Sequence, residues 1–590
     1  MRKTSSMTTP RAGMRRSAMV AGTAVAATAL LATGLTTSAA GAAPASETGA
    51  QPAALTASAR AEMLREANAT KANIATSLGL GAKEKLVVTD VIKDVDGTTH
   101  TRYDRTYDGL PVLGGDLIVH QARSGDIKSV TKATNATVKV ASTTAGVAPS
   151  TAAKAAIKLA EADHTTGASA DQAPRKVIWA ATGKPVLAYE TVVGGTQKDG
   201  TPSELHVITD AATSKKLYQY QDVKTFTGTG RHNGKITPGT RTGTGTHTGT
   251  HTGTRTSTGT RTSTGTGTGQ YNGKVPLGSV KSGSRWLLKD TARGGHQTYN
   301  AKHSTDQTKQ GSPFYDADNV WGNGKPTIAQ TAAVDAHYGA AMTWDYYKNV
   351  FGRNGIKGDG KAGYSRVHFG DQFGNAAWND DCFCMTYGDG AGNKTPLTAL
   401  DVVGHEMTHG VTSATAKLKY GEALGLDEAT SDIFSTAVEF YAKNAQDPGD
   451  YLLGDKIDLN GDGTPARYMD KPSKDGLSYD YWESGMGNVD PHATSGVGNH
   501  FFYLLSEGSG AKELDGVKYD SPTKDGSTVK GIGRAKAEKI WYKALTTYMT
   551  SNTDYHAARK ATLKAATDLY GTDSAEYKGV DAAWAGVNVK

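Results

Sequence analysis

A tract of glycine and threonine, broken only by scattered arginine and histidine, occupies about residues 237–268. Such a composition cannot bury a core, so the 590-residue chain must fold as separate bodies in front of the tract and behind it. The two sides differ in kind: all ten Phe and all but one of the eight Trp lie at or beyond Phe226. At about 150 residues per domain the length calls for three or four domains. A net charge of +7 over this length makes no case for a nucleic-acid binder. Cys382 and Cys384 are too few for a disulfide scaffold, so a core, or a core plus metal, must carry stability. The pair could still close a small disulfide with each other.

The flanks of the tract are related, since residues 227–236 recur as 266–275. A single repeat that has been copied explains this, whereas a solenoid would need apolar positions in every unit. His247 and His251 have ligand spacing only on a helix, which this composition does not form. The tract therefore reads as a dispensable linker, and excision of residues 228–266 would join the two flanks in register.

Residues 1–42 read as a secretory signal peptide: Arg2, Lys3, Arg11, Arg15 and Arg16 precede an apolar run over 18–35, followed by small residues. The run is weakly apolar and no second span follows, so secretion is expected, with no membrane anchoring. Residues 43–224 form an α+β segment without a catalytic cluster. Helices are expected over about 56–78 and after Ser150, and strands over 86–95, 117–119, 177–179, 186–193 and 205–208. Residues 225–270 form the Gly/Thr-rich insertion, 271–400 a β-rich lobe that also carries a helix over 328–350 and a strand over 365–369, and 401–590 a helical lobe. His337 and His368 have no partner at ligand spacing and read as core histidines.

The sequence Asp401-Val-Val-Gly-His405-Glu406-Met-Thr-His409 carries the chemistry. Helical positions four apart share a face, so His405 and His409 present two imidazoles to one Zn²⁺ with Glu406 beside it. Two imidazoles leave such a site incomplete. Leu426-Asp427-Glu428 opens a second helix and supplies Glu428 as third ligand, while Asp432, one turn on, can accept the other N–H of a ligand histidine. Histidine is scarce, 16 in 590 residues, which argues against a chance pairing.

These residues resemble the thermolysin family of secreted neutral metalloendopeptidases, over about 271–590. The stretch His100-Thr-Arg102 with Tyr107-Asp-Gly109-Leu-Pro111 resembles the propeptide that thermolysin-like and fungalysin-like proteases share. The resemblance implies a two-lobed α+β fold, zinc in the cleft, an inhibitory propeptide acting in cis, and Glu406 as general base. It also implies that Asn375 and Ala376 bind substrate backbone, that Tyr420 and His492 face the developing oxyanion, and that Arg467 holds substrate beyond the scissile bond. Leu397, Val402 and Ala466 match the wall of an apolar pocket for the residue after the cut. Asp401, Glu439, Asp450 and Asp455 match a calcium site, where clustered carboxylates repel without a hard cation. Leu452 stands where the family has a carboxylate, which argues against a full double-calcium site. The loop 458–463 reads as a polar turn with calcium possible. Protein and peptide substrates and a monomeric enzyme are expected. The rivals are a catalytically inactive secreted binding protein on the same scaffold, which would lack Glu406 or a ligand, and an aminopeptidase, against which the open Asn375–Ala376 edge argues.

Overall fold

The computed structural model describes residues 50–170, 172–227 and 263–590. The expected signal segment, His247, His251 and most of the Gly/Thr tract lie outside the described residues.

The front half is built on one ten-stranded sheet. Helix α1 (Ala57–Ser77) starts at Thr56, whose side chain accepts the Ala59 N–H, and packs chiefly through Ile74. Strands β1 (Glu84–Lys93), β2 (Thr99–Tyr107), β3 (Leu110–Leu113), β4 (Leu117–Gln121) and β5 (Ile127–Lys132) form the first part of the sheet. After α2 (Pro149–Ala162) come β6 (Thr166–Ala170), β7 (Arg175–Trp179), β8 (Val186–Thr196), β9 (Pro202–Asp210) and β10 (Lys216–Gln221). The order is β10-β9-β8-β7-β3-β2-β4-β5, with β1 added on β2 and β6 on β8; the parallel β3–β7 pair joins its two halves. Helix α2 buries Ala152, Ala156 and Ala160, one face at four-residue spacing, and such small side chains let it lie close on the sheet. With few aromatics the front half has several small apolar clusters, whereas a single large cluster runs from Phe226 to Val589 through the back half.

Strand β11 (Lys224–Thr225) leaves the ten-stranded sheet of the front half and pairs instead with Ala376–Asn379 of the back half. Composition placed residues 263–268 in the linker, but Ser263–Thr268 forms strand β12, antiparallel to β13 (Lys274–Ser282) and parallel to Val320–Trp321. The physical reason is packing. Gly265 and Gly267 face inward in alternation with threonine, and a Cβ on Gly267 would stand 2.5 Å from Leu277 and 2.7 Å from Val334. Glycine here serves close approach of layers, and a period-two strand resembles a flexible repeat in composition alone.

In the sheet that borders the cleft, Tyr364–Val367 runs parallel to both His296–Asn300 and Cys384–Tyr387, and Ala376–Asn379 is antiparallel to the latter. Cys382 and Cys384 are joined in a disulfide beside it, with Cα atoms 5.2 Å apart. Helix α3 (Ala329–Phe351) spans the lobe. His337 and His368 are buried there, His337 against Thr298 and Gly278, His368 against Asp389 and Ala329. Helices α4 (Leu400–Ser413) and α5 (Ala423–Ala442) are buried on nearly every face, and α6 (Pro491–Glu507), α7 (Arg534–Thr547), α8 (Tyr555–Tyr570) and α9 (Ala575–Gly586) complete a helical lobe around them. Among the described residues no helix is long and apolar enough to cross a membrane.

Candidate active site

Helix α4 brings His405 and His409 onto one face, and α5 crosses it with Glu428 and Asp432. The two imidazole Nε2 atoms lie 3.0 Å apart, and Glu428 oxygens lie 3.3 Å from His405 Nε2 and 3.6 Å from His409 Nε2. Each Nδ1 is engaged elsewhere: His405 donates to Asp432 at 2.9 Å and His409 to Asp427 at 3.3 Å. Both Nε2 lone pairs therefore point at the same place as a carboxylate, an arrangement that only an electrophile satisfies. Burial opposes charge on the His405 ring, yet Asp432 and Glu428 push it up to about 10, a surplus of negative donors that suits a dication. These three side chains form one of two groups among the described residues whose ligand atoms converge closely enough for a metal; Zn²⁺ fits this His₂Glu set.

Glu406 is fully buried, and no side chain hydrogen-bonds to either of its carboxylate oxygens. Burial, opposed by the charge of His405, pushes its carboxyl up to about 8. His492 sits at the start of α6, where Asp490 accepts both its backbone N–H and its Nδ1–H, each at 2.9 Å. Its Nε2 donates to the Thr225 carbonyl at 2.8 Å. Arg467 grips both oxygens of Asp432, at 2.6 and 2.8 Å, and donates to the Phe226 carbonyl at 2.6 Å. Asn375 exchanges two hydrogen bonds with Thr227, and the Ala376 carbonyl accepts the Phe226 N–H at 3.2 Å. Leu397, Val402 and Ala466 are buried in the same core as Phe226. A Cβ on Gly454 would stand 3.1 Å from both Ala466 and the Phe226 ring, so the far end of that ring and Ala466 both adjoin Gly454.

Tyr420 is not brought onto the Thr225 carbonyl. Its ring packs edge-on to Trp179 at 5.0 Å and against Tyr218 and Tyr220, all from the propeptide, and Tyr218 accepts the neighbouring Gly421 N–H. Asp401, Glu439, Asp450 and Asp455 gather with Asp447. Burial and mutual repulsion push the Asp401, Asp447 and Asp450 carboxyls up to about 7 and Glu439 well above its usual range. One Glu439 oxygen lacks a hydrogen-bond partner, while Lys456 lies 2.7 Å from Asp455 and 3.7 Å from Asp447. In the loop 458–463, Asp458 accepts the Gly463 N–H, closing an exposed turn.

Sequence reasoning missed Asp427, Asp490, Asn499 and Asp447. Asp490 carried a readable signal, an Asp before Pro at a helix start. Asn499, which donates to Asp432 at 2.8 Å, carried none, because its partner lies on another helix.

Residues 264–413 match the family described as thermolysin metallopeptidase, catalytic domain, and 416–589 its alpha-helical domain. Residues 84–134 match the fungalysin/thermolysin propeptide motif. The chain is 58% identical over 536 residues to a transglutaminase-activating metalloprotease of Streptomyces mobaraensis, covering 91% of this chain and 65% of that protein. It is 34% identical over 525 residues to thermolysin of Alicyclobacillus acidocaldarius subsp. acidocaldarius, covering 87% of each. Bacillolysin of Bacillus cereus is 32% identical over 523 residues, covering 86% of each. The chain belongs to the thermolysin family of metallopeptidases and carries that family's propeptide motif ahead of the catalytic domain.

Proposed function

We propose that this chain is the secreted, inactive precursor of a zinc metalloendopeptidase that cuts internal peptide bonds on the N-terminal side of bulky hydrophobic residues. The observation that carries the reading is Glu406: a buried carboxylate with no side-chain hydrogen-bond partner, beside the converging His405, His409 and Glu428. Zinc held by those three residues supplies Lewis acidity, lowering the pKa of a water and polarising the substrate carbonyl. Glu406 takes the attacking water's proton and hands it to the leaving nitrogen. His492, steadied by Asp490, donates to the carbonyl oxygen as negative charge develops there, and Tyr420 is assigned to the same oxygen once the propeptide has left. Arg467, aimed by Asp432, holds the carbonyl one residue beyond.

A chain that continues on both sides of the cleft supports an endopeptidase over an aminopeptidase. A fully buried Phe in the pocket supports the hydrophobic preference. The inactive binding protein is disfavoured, since Glu406 and all three ligands are present. We assign the carboxylates Asp401, Glu439, Asp447, Asp450 and Asp455 to structural calcium, on the strength of the mutual repulsion of these clustered carboxylates, which a hard cation would relieve. The enzyme acts outside the cell as a monomer on protein and peptide substrates, with its own propeptide as partner in cis. The name of the 58% identical relative describes activation of another protein, and limited cleavage of protein precursors is the substrate class we propose here.

Metal analysis with peptide hydrolysis tests this. One zinc per mature chain is expected, retained in Glu406→Gln while turnover falls by roughly 10²- to 10⁴-fold or more. Unchanged turnover in that variant, with zinc confirmed, overturns the general-base assignment.

A further inference from the structure

We propose that the first bond this enzyme cuts is its own Thr225–Phe226 bond, which the precursor already holds as a substrate; this rests on the function proposed above. Residues 224–225 run antiparallel to the edge strand, Lys224 opposite Trp378 and Thr225 opposite Ala377. That pairing fixes the register of the chain through the cleft. The Thr225 carbonyl receives the His492 Nε2–H at 2.8 Å, the Phe226 N–H goes to the Ala376 carbonyl at 3.2 Å, and the Phe226 carbonyl receives Arg467 at 2.6 Å. Every backbone polar group across one peptide bond and its next carbonyl is thus engaged by a residue assigned to substrate binding.

Side chains give the same register. Phe226 is fully buried, its ring edge-on to His405 with centroids 5.2 Å apart, the Arg467 guanidinium 4.7 Å from its centroid, and its tip against Gly454. The flanking bonds fail the same criteria. Among the described residues the one backbone carbonyl on His492 Nε2 is that of Thr225, and the carbonyl of the following bond, that of Phe226, is on Arg467 instead.

Hydrolysis there is balanced. The water oxygen bonds to the Thr225 carbonyl carbon, the bond to the Phe226 nitrogen breaks, and the two water protons pass by way of Glu406 to that nitrogen. The products are a Thr225 carboxylate ending the propeptide and a Phe226 ammonium beginning the catalytic chain. The engagement of Tyr420 with Trp179, Tyr218 and Tyr220 withholds one donor from this carbonyl, so the first cut is slow relative to later turnover.

The test is a time course of intact masses for the full-length chain, expressed in a host without extracellular proteases, alongside Glu406→Gln, Phe226→Leu and Phe226→Asp. The first fragments of the wild type and of Phe226→Leu are expected to end at Thr225 and begin at residue 226. Glu406→Gln is expected to stay intact, and Phe226→Asp to be cut at this bond about 10- to 100-fold more slowly, since the pocket loses a buried aromatic side chain. First fragments with other ends, in an enzyme that cleaves peptides, overturn the register and leave the function standing. Cleavage at this bond in Glu406→Gln overturns self-processing. Absence of both self-cleavage and peptide cleavage in the zinc-loaded wild type overturns the function itself.

Discussion

Asp432 is the residue on which the metal and the substrate groups both depend: it accepts from His405, twice from Arg467, and from Asn499. Asp432→Ala would leave a buried guanidinium unpaired and free the His405 ring to turn. Zinc affinity in a chelator competition should drop by about 10- to 100-fold, with KM rising as Arg467 loses its aim. His405, His409, Glu428 and Asp432 were legible because helical spacing alone puts each pair on one face. Asp427 lay inside the same motif without a role, since its bond to His409 depends on how α4 crosses α5. Ala466 was readable only through the family resemblance. In the precursor both Ala466 and the end of the Phe226 ring adjoin Gly454, and in the proposed pocket these two small residues would set the depth. Ala466→Leu should then lower kcat/KM for peptides with Phe after the cut relative to Leu by about tenfold, because a pocket of this kind discriminates by a few methylene equivalents at about 0.8 kcal/mol each. An unchanged Phe-to-Leu ratio would remove Ala466 from the pocket.

Among the elements, β12 shows where sequence patterning fails. Its Thr-Gly alternation has the period of a strand, but hydrophobicity scales see nothing on its inner face, since the inward residues are glycines pressed against Leu277 and Val334. The helix over 328–350 was readable by the opposite route, through its recurring apolar residues. Excision of residues 228–266, attractive from the repeat alone, would remove Ser263 to Thr266 from β12 and break its pairing with β13 and with Val320–Trp321. That deletion should lower the yield of active enzyme, whereas deletions confined to the tract ahead of Ser263 should not. A single substitution isolates the cause. Gly267→Val inserts a branched side chain where even a Cβ is too close, and overpacking of this kind costs about 1 to 3 kcal/mol. A thermal midpoint equal to wild type would contradict the packing account.

At the scale of the whole molecule, the propeptide is fastened by buried polar contacts far from the cleft, and these make its grip depend on pH. Arg102 is fully enclosed and donates to the Leu545, Thr546 and Met549 carbonyls, closing the C-terminal end of α7. Beside it, buried Asp94 of the propeptide takes Lys543 of α7 and the His100 Nε2–H, and His100 and His120 share one proton between Nδ1 atoms 2.7 Å apart. Burial pushes both rings below their ordinary value, helped at His100 by Lys543 and at His120 by His100, Lys564, Arg102 and Lys543, against Asp94 and Asp568. Groups held neutral in this way stabilise the precursor fully above about pH 6.5 and less with each step below it. On β9, His206 behaves in the opposite sense. Burial alone would lower it, but Glu190, Glu204 and Asp222 push it up to about 9, and Lys419 of the catalytic lobe grips Asp222 at 2.8 Å. A charged histidine among carboxylates contributes fully below about pH 6.5 and is lost as pH rises through about 9. The two clusters therefore set a maximum near pH 6.5. The stability of the Glu406→Gln precursor should peak near pH 6.5 and fall on both sides, on the alkaline side between about pH 6.5 and 9, by up to about 1.4 kcal/mol per pH unit for each histidine involved, as thermal midpoints across the pH range will show. His120→Gln should flatten the acid limb alone and His206→Gln the alkaline limb alone. If either variant leaves its limb unchanged, the corresponding cluster does not govern how the propeptide is held.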